Sequence, residues 1–250
     1  MLCYKEKQMY LYEMHVHTCI ASRCGRLNPK QIVETYHSQG FSGICITEHF
    51  FNGNCSVDRS LPWKEKVEQY CSAYEQVKAE GEKVGLEVFF GFEYSVSPQS
   101  KNTMSGTDFL IYGLGKEWLL SKDESILEMS VNDFMKMVRE EGGFVVQAHP
   151  YRLELSYMDH ISLFPLYTDG VEVLNAARNT MGRPNNLAKK YAKEYNFYRL
   201  AGTDFHQNCD REYFAVLKTI NKAKTINELI NEIKTRTTKV AFKKNKFYKR

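Results

Sequence analysis

The chain has 250 residues, 43% hydrophobic and 26% charged, with a formal net charge of +4. These proportions exclude a disordered or collagen-like chain, and no run approaches the ~20 apolar residues of a membrane helix. Seven cysteines without a C-x-x-C pair, and a start (Met1-Leu2-Cys3-Tyr4-Lys5-Glu6-Lys7) without an apolar signal core, predict a cytoplasmic protein with no disulfide framework or zinc knuckle.

The predicted elements alternate along the chain. Apolar runs rich in Val, Ile, Phe and Tyr occupy residues 9–14, 43–47, 86–92, 109–113, 143–147, 170–174, 197–201 and 213–220. Their composition reads as parallel strands buried on both faces. A helix is expected from Asn28-Pro29, a cap followed by an N1 proline, through Ile32, Val33 and Tyr36 to Gly40. Residues 61–84 carry Trp63, Val67, Tyr70, Tyr74 and Val77 on one helical stripe. Ser130-x-x-Asp133 and Thr225-x-x-Glu228 read as capping boxes, and residues 183–195 align Leu187, Tyr191 and Tyr195. Repeated strand–helix alternation without Gly-x-Gly-x-x-Gly favours an α/β barrel over a dinucleotide fold. Neither repeats nor linkers divide the chain, so residues 1–250 read as one domain. A basic tail follows from about residue 239, with six basic and no acidic residues. It reads as a solvated terminus; contact with nucleic acid is the weaker alternative.

Chemistry concentrates just after the apolar runs. His15 and His17 follow the first, Glu48 and His49 the second, Glu93 the third, His149 the fifth, Asn175 the sixth, and Asp204 and His206 the seventh. Five of the seven histidines thus lie at strand C-terminal ends, where barrels build active sites. Residues two apart on an extended chain point to one side, so His15 with His17, and Asp204 with His206, each face one cavity. Imidazole with carboxylate suits Zn²⁺, Mn²⁺ or iron. Arg152 and Arg178 lie close after two of these strand ends and are candidate phosphate clamps, ahead of Arg23 and Arg183. Glu48, beside a candidate ligand, is a candidate acceptor that fixes an imidazole tautomer.

His15-x-His17-Thr18, Thr47-Glu48-His49, Gly91-Phe92-Glu93, Ala148-His149-Pro150 and Gly202-Thr203-Asp204-Phe205-His206 resemble, in order, the motifs of the PHP (polymerase and histidinol phosphatase) domain. The resemblance spans nearly the whole chain. It implies a distorted (β/α)7 barrel whose metal site, at the C-terminal ends of the strands, holds one to three divalent ions (Zn, Mn or Fe). The implied reaction is hydrolysis of a small phosphorylated substrate by a metal-activated hydroxide. Carried over, the first ion takes His15, His17, Glu93 and Asp204; the second shares Glu93 and adds His149; the third takes His49 and His206. Two positions depart from the pattern. Ser22-Arg23-Cys24 stands where trinuclear members place a histidine, and the segment after Asp108 has none where many members carry one. Cys24 and Asp108 are the candidate substitutes. Histidinol-phosphate phosphatase, an exonuclease on nucleic-acid ends and a non-catalytic metal-binding regulatory module are the alternatives.

Overall fold

A computed structural model describes residues 9–96, 107–153, 161–206 and 212–248. The first residues of the chain, Cys3, Cys209 and the last two residues of the basic tail lie outside them. The elements in order are β1 (Tyr10–Val16), α1 (Pro29–Ser38), β2 (Gly43–His49), α2 (Trp63–Glu82), β3 (Glu87–Ser95), β4 (Asp108–Tyr112), α3 (Lys116–Leu120), α4 (Val131–Glu140), β5 (Phe144–Gln147), β6 (Gly170–Asn175), α5 (Arg183–Glu194), β7 (Tyr198–Gly202), β8 (Tyr213–Thr219), α6 (Ile226–Lys234) and β9 (Lys239–Lys244).

Local chemistry accounts for the helix starts. Asn28 accepts from the Gln31 amide, and the Gln31 side chain accepts from the Asn28 amide. Ser130 caps α4 through the Asp133 amide, and Thr225 caps α6 through that of Glu228. Each cap contributes about 1 kcal/mol. Along α2 the predicted stripe buries Val67, Tyr70 and Val77.

The strands form one sheet in the order β7-β6-β5-β4-β3-β2-β1-β8-β9. The pairs β1–β2, β2–β3, β5–β6 and β6–β7 are parallel. The expectation of parallel strands throughout fails at β4, antiparallel to both neighbours, and at β8, antiparallel to β1. Direction was illegible because a strand buried on both faces, such as Asp-Phe-Leu-Ile-Tyr of β4, has the same pattern read either way. Val16 bridges Phe205, just past β7, with the His17 amide donating to the Phe205 carbonyl at 3.2 Å. The sheet therefore curls into a nearly closed barrel shape. Among the described residues the sheet has nine strands of mixed direction, where seven strand–helix repeats are expected.

The basic tail is also corrected in part. Lys239–Lys244 is not a free terminus but the edge strand β9, paired with β8 from Lys218↔Lys239 to Tyr213↔Lys244. Val240 and Ala241 between the lysines pack against the core, which charge counting overlooked.

Candidate metal centre

One end of the curled sheet gathers the polar residues. His15 comes from β1 and His17 from just beyond it, His49 ends β2, and Glu93 lies near the end of β3. Asp108 starts antiparallel β4, so it reaches the same end; His149 follows β5, and Asp204 and His206 follow β7. All but His49 and His206 are buried. The Nε2 atoms of His15 and His17 face each other at 3.1 Å. Glu93 is central: its carboxylate lies 3.4 Å from His15, 3.3 Å from His17, 2.8 Å from His49 and 3.4 Å from His149. Asp204 lies 3.7 Å from His15 Nε2 and 3.5 Å from His17 Nε2. Asp108 lies 3.8 Å from His149. The ring of His17 stacks against those of His49 and His206, at 4.4 and 4.5 Å between centroids, and those two lie 6.1 Å apart.

A second layer orients these groups. His15 Nδ1 meets Glu172 Oε1 at 3.1 Å, and Glu172 Oε2 accepts from the His149 amide at 3.0 Å and from Asn175 Nδ2 at 2.8 Å. His17 Nδ1 meets Ser22 Oγ at 3.2 Å, and Ser22 donates to Glu48, which also accepts from the Thr18 amide. Glu48 thus reaches His17 through Ser22 rather than touching an imidazole itself. His206 Nδ1 lies 2.9 Å from the Asp204 carbonyl. With protons on these Nδ1 atoms, all three rings present Nε2. Glu13 accepts from the amides of His15 and Thr203 and from the Thr203 hydroxyl, tying β1 to the end of β7. Gly202 leaves the room this requires, since a Cβ there would stand 2.2 Å from Glu172 Oε1 and 2.4 Å from His15 Cβ. Asp204 sits at a φ of 54°, in the left-handed region that aspartate tolerates better than most residues.

The charges follow from this crowding. Burial opposes charge on His15, but Glu93, Glu172 and Asp204 outweigh it and hold its pKa well above the ordinary histidine value. His17 is driven well below that value by burial and by His49 and His206. Burial works against ionised Glu93, yet His49 and His15 keep it well below the carboxylate range; for Asp204, His206 and His15 do the same. Burial raises Glu48 to about 7 against hydrogen bonds from Ser22 and Thr18. Asp108 is raised by burial and by Glu93.

The donor set fits divalent ions. Nitrogen and oxygen donors on a tetrahedral ion at ~2.1 Å stand ~3.4 Å apart. The spacings of His15 and His17 to each other, to Glu93 and to Asp204 run from 3.1 to 3.7 Å. Glu93 Oε2, His49 Nδ1 and both ring nitrogens of His149 are buried without a well-aligned hydrogen bond, as donor atoms awaiting an ion would be. Three further triads also bring their donor atoms within 4.8 Å of one another: His17/His49/His206, His15/His149/Glu172 and Glu93/Asp108/His149.

All seven sequence-derived ligand candidates meet here. Arg152 meets them too, with Nη1 2.8 Å from Asp204 and Nη2 3.7 Å from Asp108. Arg178, Arg23 and Arg183 are exposed and join none of these contacts. Glu172, Glu13 and Ser22 escaped the sequence reading. A carboxylate inside an apolar strand, as in Gly-Val-Glu-Val-Leu-Asn of β6, was the available signal for Glu172.

The family model of the PHP domain matches residues 13–158. The chain belongs to the PHP family. No curated protein matches it. Solved structures do: a two-domain protein of Bacteroides vulgatus containing a predicted PHP-like metal-dependent phosphoesterase aligns at TM-score 0.69 and 16% identity. That alignment covers 94% of this PHP chain and 65% of the other. A protein of Bifidobacterium adolescentis, named by prediction a metal-dependent phosphoesterase, aligns at 0.55 and 13%, over 78% and 87% of the two chains. An amidohydrolase of Chromobacterium violaceum, with bound sulfate and no metal, aligns at 0.56 and 13%, over 80% and 89%. At these identities the likeness is one of fold. Among the described residues of the PHP chain, no helix is long and apolar enough to cross a membrane.

Proposed function

We propose that this PHP chain is a metal-dependent hydrolase of a small or terminal phosphoester, working as one unit of residues 1–250 in the cytoplasm. The observation that carries the reading is the convergence of His15, His17, Glu93 and Asp204 at tetrahedral donor spacing. Those four residues would hold one ion at the strand ends. Glu93 and His149, with Asp108 beside them, would hold a second, and His49 with His206 a third. Zn, Mn and Fe all suit imidazole with carboxylate. Bound divalent ions lower the pKa of coordinated water towards ~7 and neutralise charge on phosphoryl oxygens.

The chain's own residues do the remaining work. Glu172, and Glu48 through Ser22, hold the Nδ1 protons of His15 and His17, so that Nε2 stays free to ligate. Arg152 is anchored on Asp204 and is 12% exposed, so its guanidinium can face a phosphoryl oxygen as a planar fork. Arg178, exposed three residues past the end of β6, would offer a second cation. The test is a screen of phosphomonoesters, histidinol phosphate, phosphodiesters and oligonucleotide ends with the Mn²⁺- and Zn²⁺-loaded protein. Hydrolysis lost together with metal in His15→Ala and Asp204→Ala is the expected result. Metal uptake with no ester cleaved would instead make the chain a non-catalytic metal-binding module, and cleavage confined to oligonucleotide ends would make it an exonuclease.

A further inference from the structure

Of the two candidate substitutes, Asp108 stands in a donor triad and Cys24 in none. The sheet register explains how Asp108 arrives there. Because β4 runs antiparallel to β3, its first residue pairs with Ser95, while Glu93 pairs with Leu110. Glu93 and Ser95 are two apart on one strand, so Asp108 lies diagonally across from Glu93 on the same face. On the other side of β4 the Ala148 amide donates to the Asp108 carbonyl at 2.9 Å, which sets His149 beside Asp108. Glu172 holds the His149 amide at 3.0 Å, and His149 turns in through a φ of 24°, in the left-handed region that few non-glycine residues adopt. Its buried Nε2 has no well-aligned hydrogen bond and lies 3.4 Å from Glu93 Oε1 and 3.8 Å from Asp108 Oδ2. The same Glu93 oxygen lies 3.4 Å from His15 Nε2, on the side of the first ion. Arg152 Nη2 stands 3.7 Å from Asp108, too far for a hydrogen bond. Two buried carboxylates facing one space repel each other, and a dication between them relieves the repulsion.

We propose that Asp108 is the third protein ligand of the second ion, with Glu93 and His149, and that it makes this position harder than the first. This rests on the metal-centre reading above. The first position offers two imidazoles, His15 and His17, beside Glu93 and Asp204. The second offers one imidazole and two carboxylates. Oxygen donors suit Mn²⁺ and Mg²⁺, and each nitrogen replaced by oxygen narrows the advantage that zinc holds over them. The two positions share Glu93, so the centre is built for an unlike pair: a zinc or ferrous ion on the His15 side and a manganous or magnesium ion on the Asp108 side. Three protein ligands leave the remaining positions of an octahedral ion to water and to an oxygen of the substrate.

Two titrations of the whole chain, stripped of metal, test this: Mn²⁺ followed by the electron paramagnetic resonance of the free ion, and Zn²⁺ against a competing chelator. Asp108→Leu, with neither donor atom nor charge, should lose one Mn²⁺ per chain relative to wild type, with unchanged circular dichroism. Asp108→His, equally uncharged at neutral pH but with a nitrogen donor, should regain that ion as Zn²⁺ and not as Mn²⁺. An Asp108→Leu variant that binds as many Mn²⁺ ions as wild type, and as tightly, overturns the ligand assignment. Zn²⁺ and Mn²⁺ held by Asp108→His in the wild-type ratio overturn the selectivity. If Asp108→Leu does not fold, Asp108→Asn takes its place: weaker binding of one Mn²⁺ supports the assignment, and wild-type affinity refutes it. Loss of that ion from a chain whose wild type cleaves no ester would leave the ligand standing and remove only the phosphoesterase reading.

Discussion

Glu172→Gln probes the oriented imidazole of His15. The substitution keeps shape and changes one oxygen to an amide nitrogen. Glu172 Oε2 serves two donors, the His149 amide and Asn175 Nδ2, so the single oxygen of glutamine belongs there. The amide NH₂ then faces His15 Nδ1, which must become an acceptor. The ring proton moves to Nε2, the atom that faces His17, Glu93 and Asp204. A protonated Nε2 cannot ligate. Loss of such an orienting partner costs about 10–100-fold in metal affinity, or about 1.4–2.7 kcal/mol. In chelator, where the buried carboxylates hold His15 charged, the same variant should lose about 1.5–3 kcal/mol of folding stability, the worth of one hydrogen bond to a charged group. Calorimetric metal titration with a competing chelator measures the first quantity and urea denaturation the second. Wild-type affinity and stoichiometry in Glu172→Gln would refute the tautomer argument and leave Glu172 a mere packing residue.

Gly202→Ala places a methyl group against Glu172 and His15 and should destabilise the fold by about 1–3 kcal/mol, with weaker metal binding in the same titration. Arg152→Met strips Asp204 of its nearest cation and should cost about 3 kcal/mol in chelator, less once metal is bound; equal urea midpoints for variant and wild type would contradict this. Burial raises the Glu13 pKa from 4.5 to about 7, so this group's contribution is greatest below 4.5 and is lost as pH rises through 7, at a cost of about 3 kcal/mol. Urea midpoints in chelator should therefore fall less across that window in Glu13→Gln than in wild type, and parallel slopes would exclude Glu13 as the source.

The candidate ligands were legible because each follows an apolar run directly, and a barrel turns that one-dimensional regularity into a ring. His15, His17, Glu93, His149 and Asp204 needed nothing more than position after an apolar run. Glu172 and Glu13 were missed for the complementary reason. They sit inside the apolar runs themselves, where a lone carboxylate among Val, Leu and Tyr has no visible partner until distant strands meet. The reversed direction of β4 is equally silent, since all five of its residues are buried. Arg152 was legible as a cation near the centre but not as the partner of Asp204, because 52 residues separate the two.

The lysines of β9 have a use that needs no ligand. A sheet that stops short of closure exposes a row of unpaired amides and carbonyls, a template on which a second molecule could add a strand. Lys239, Lys243 and Lys244 stand on that outermost strand, and their mutual repulsion discourages such pairing. The strand they shield is far more adhesive: Phe214, Ala215, Val216 and Leu217 of β8 are buried and uncharged in sequence. A chain ending at residue 238 would bare that edge, and aggregation would then be its characteristic failure. The lysine-rich segment thus acts as a guard rail against edge-to-edge pairing of an incompletely closed barrel.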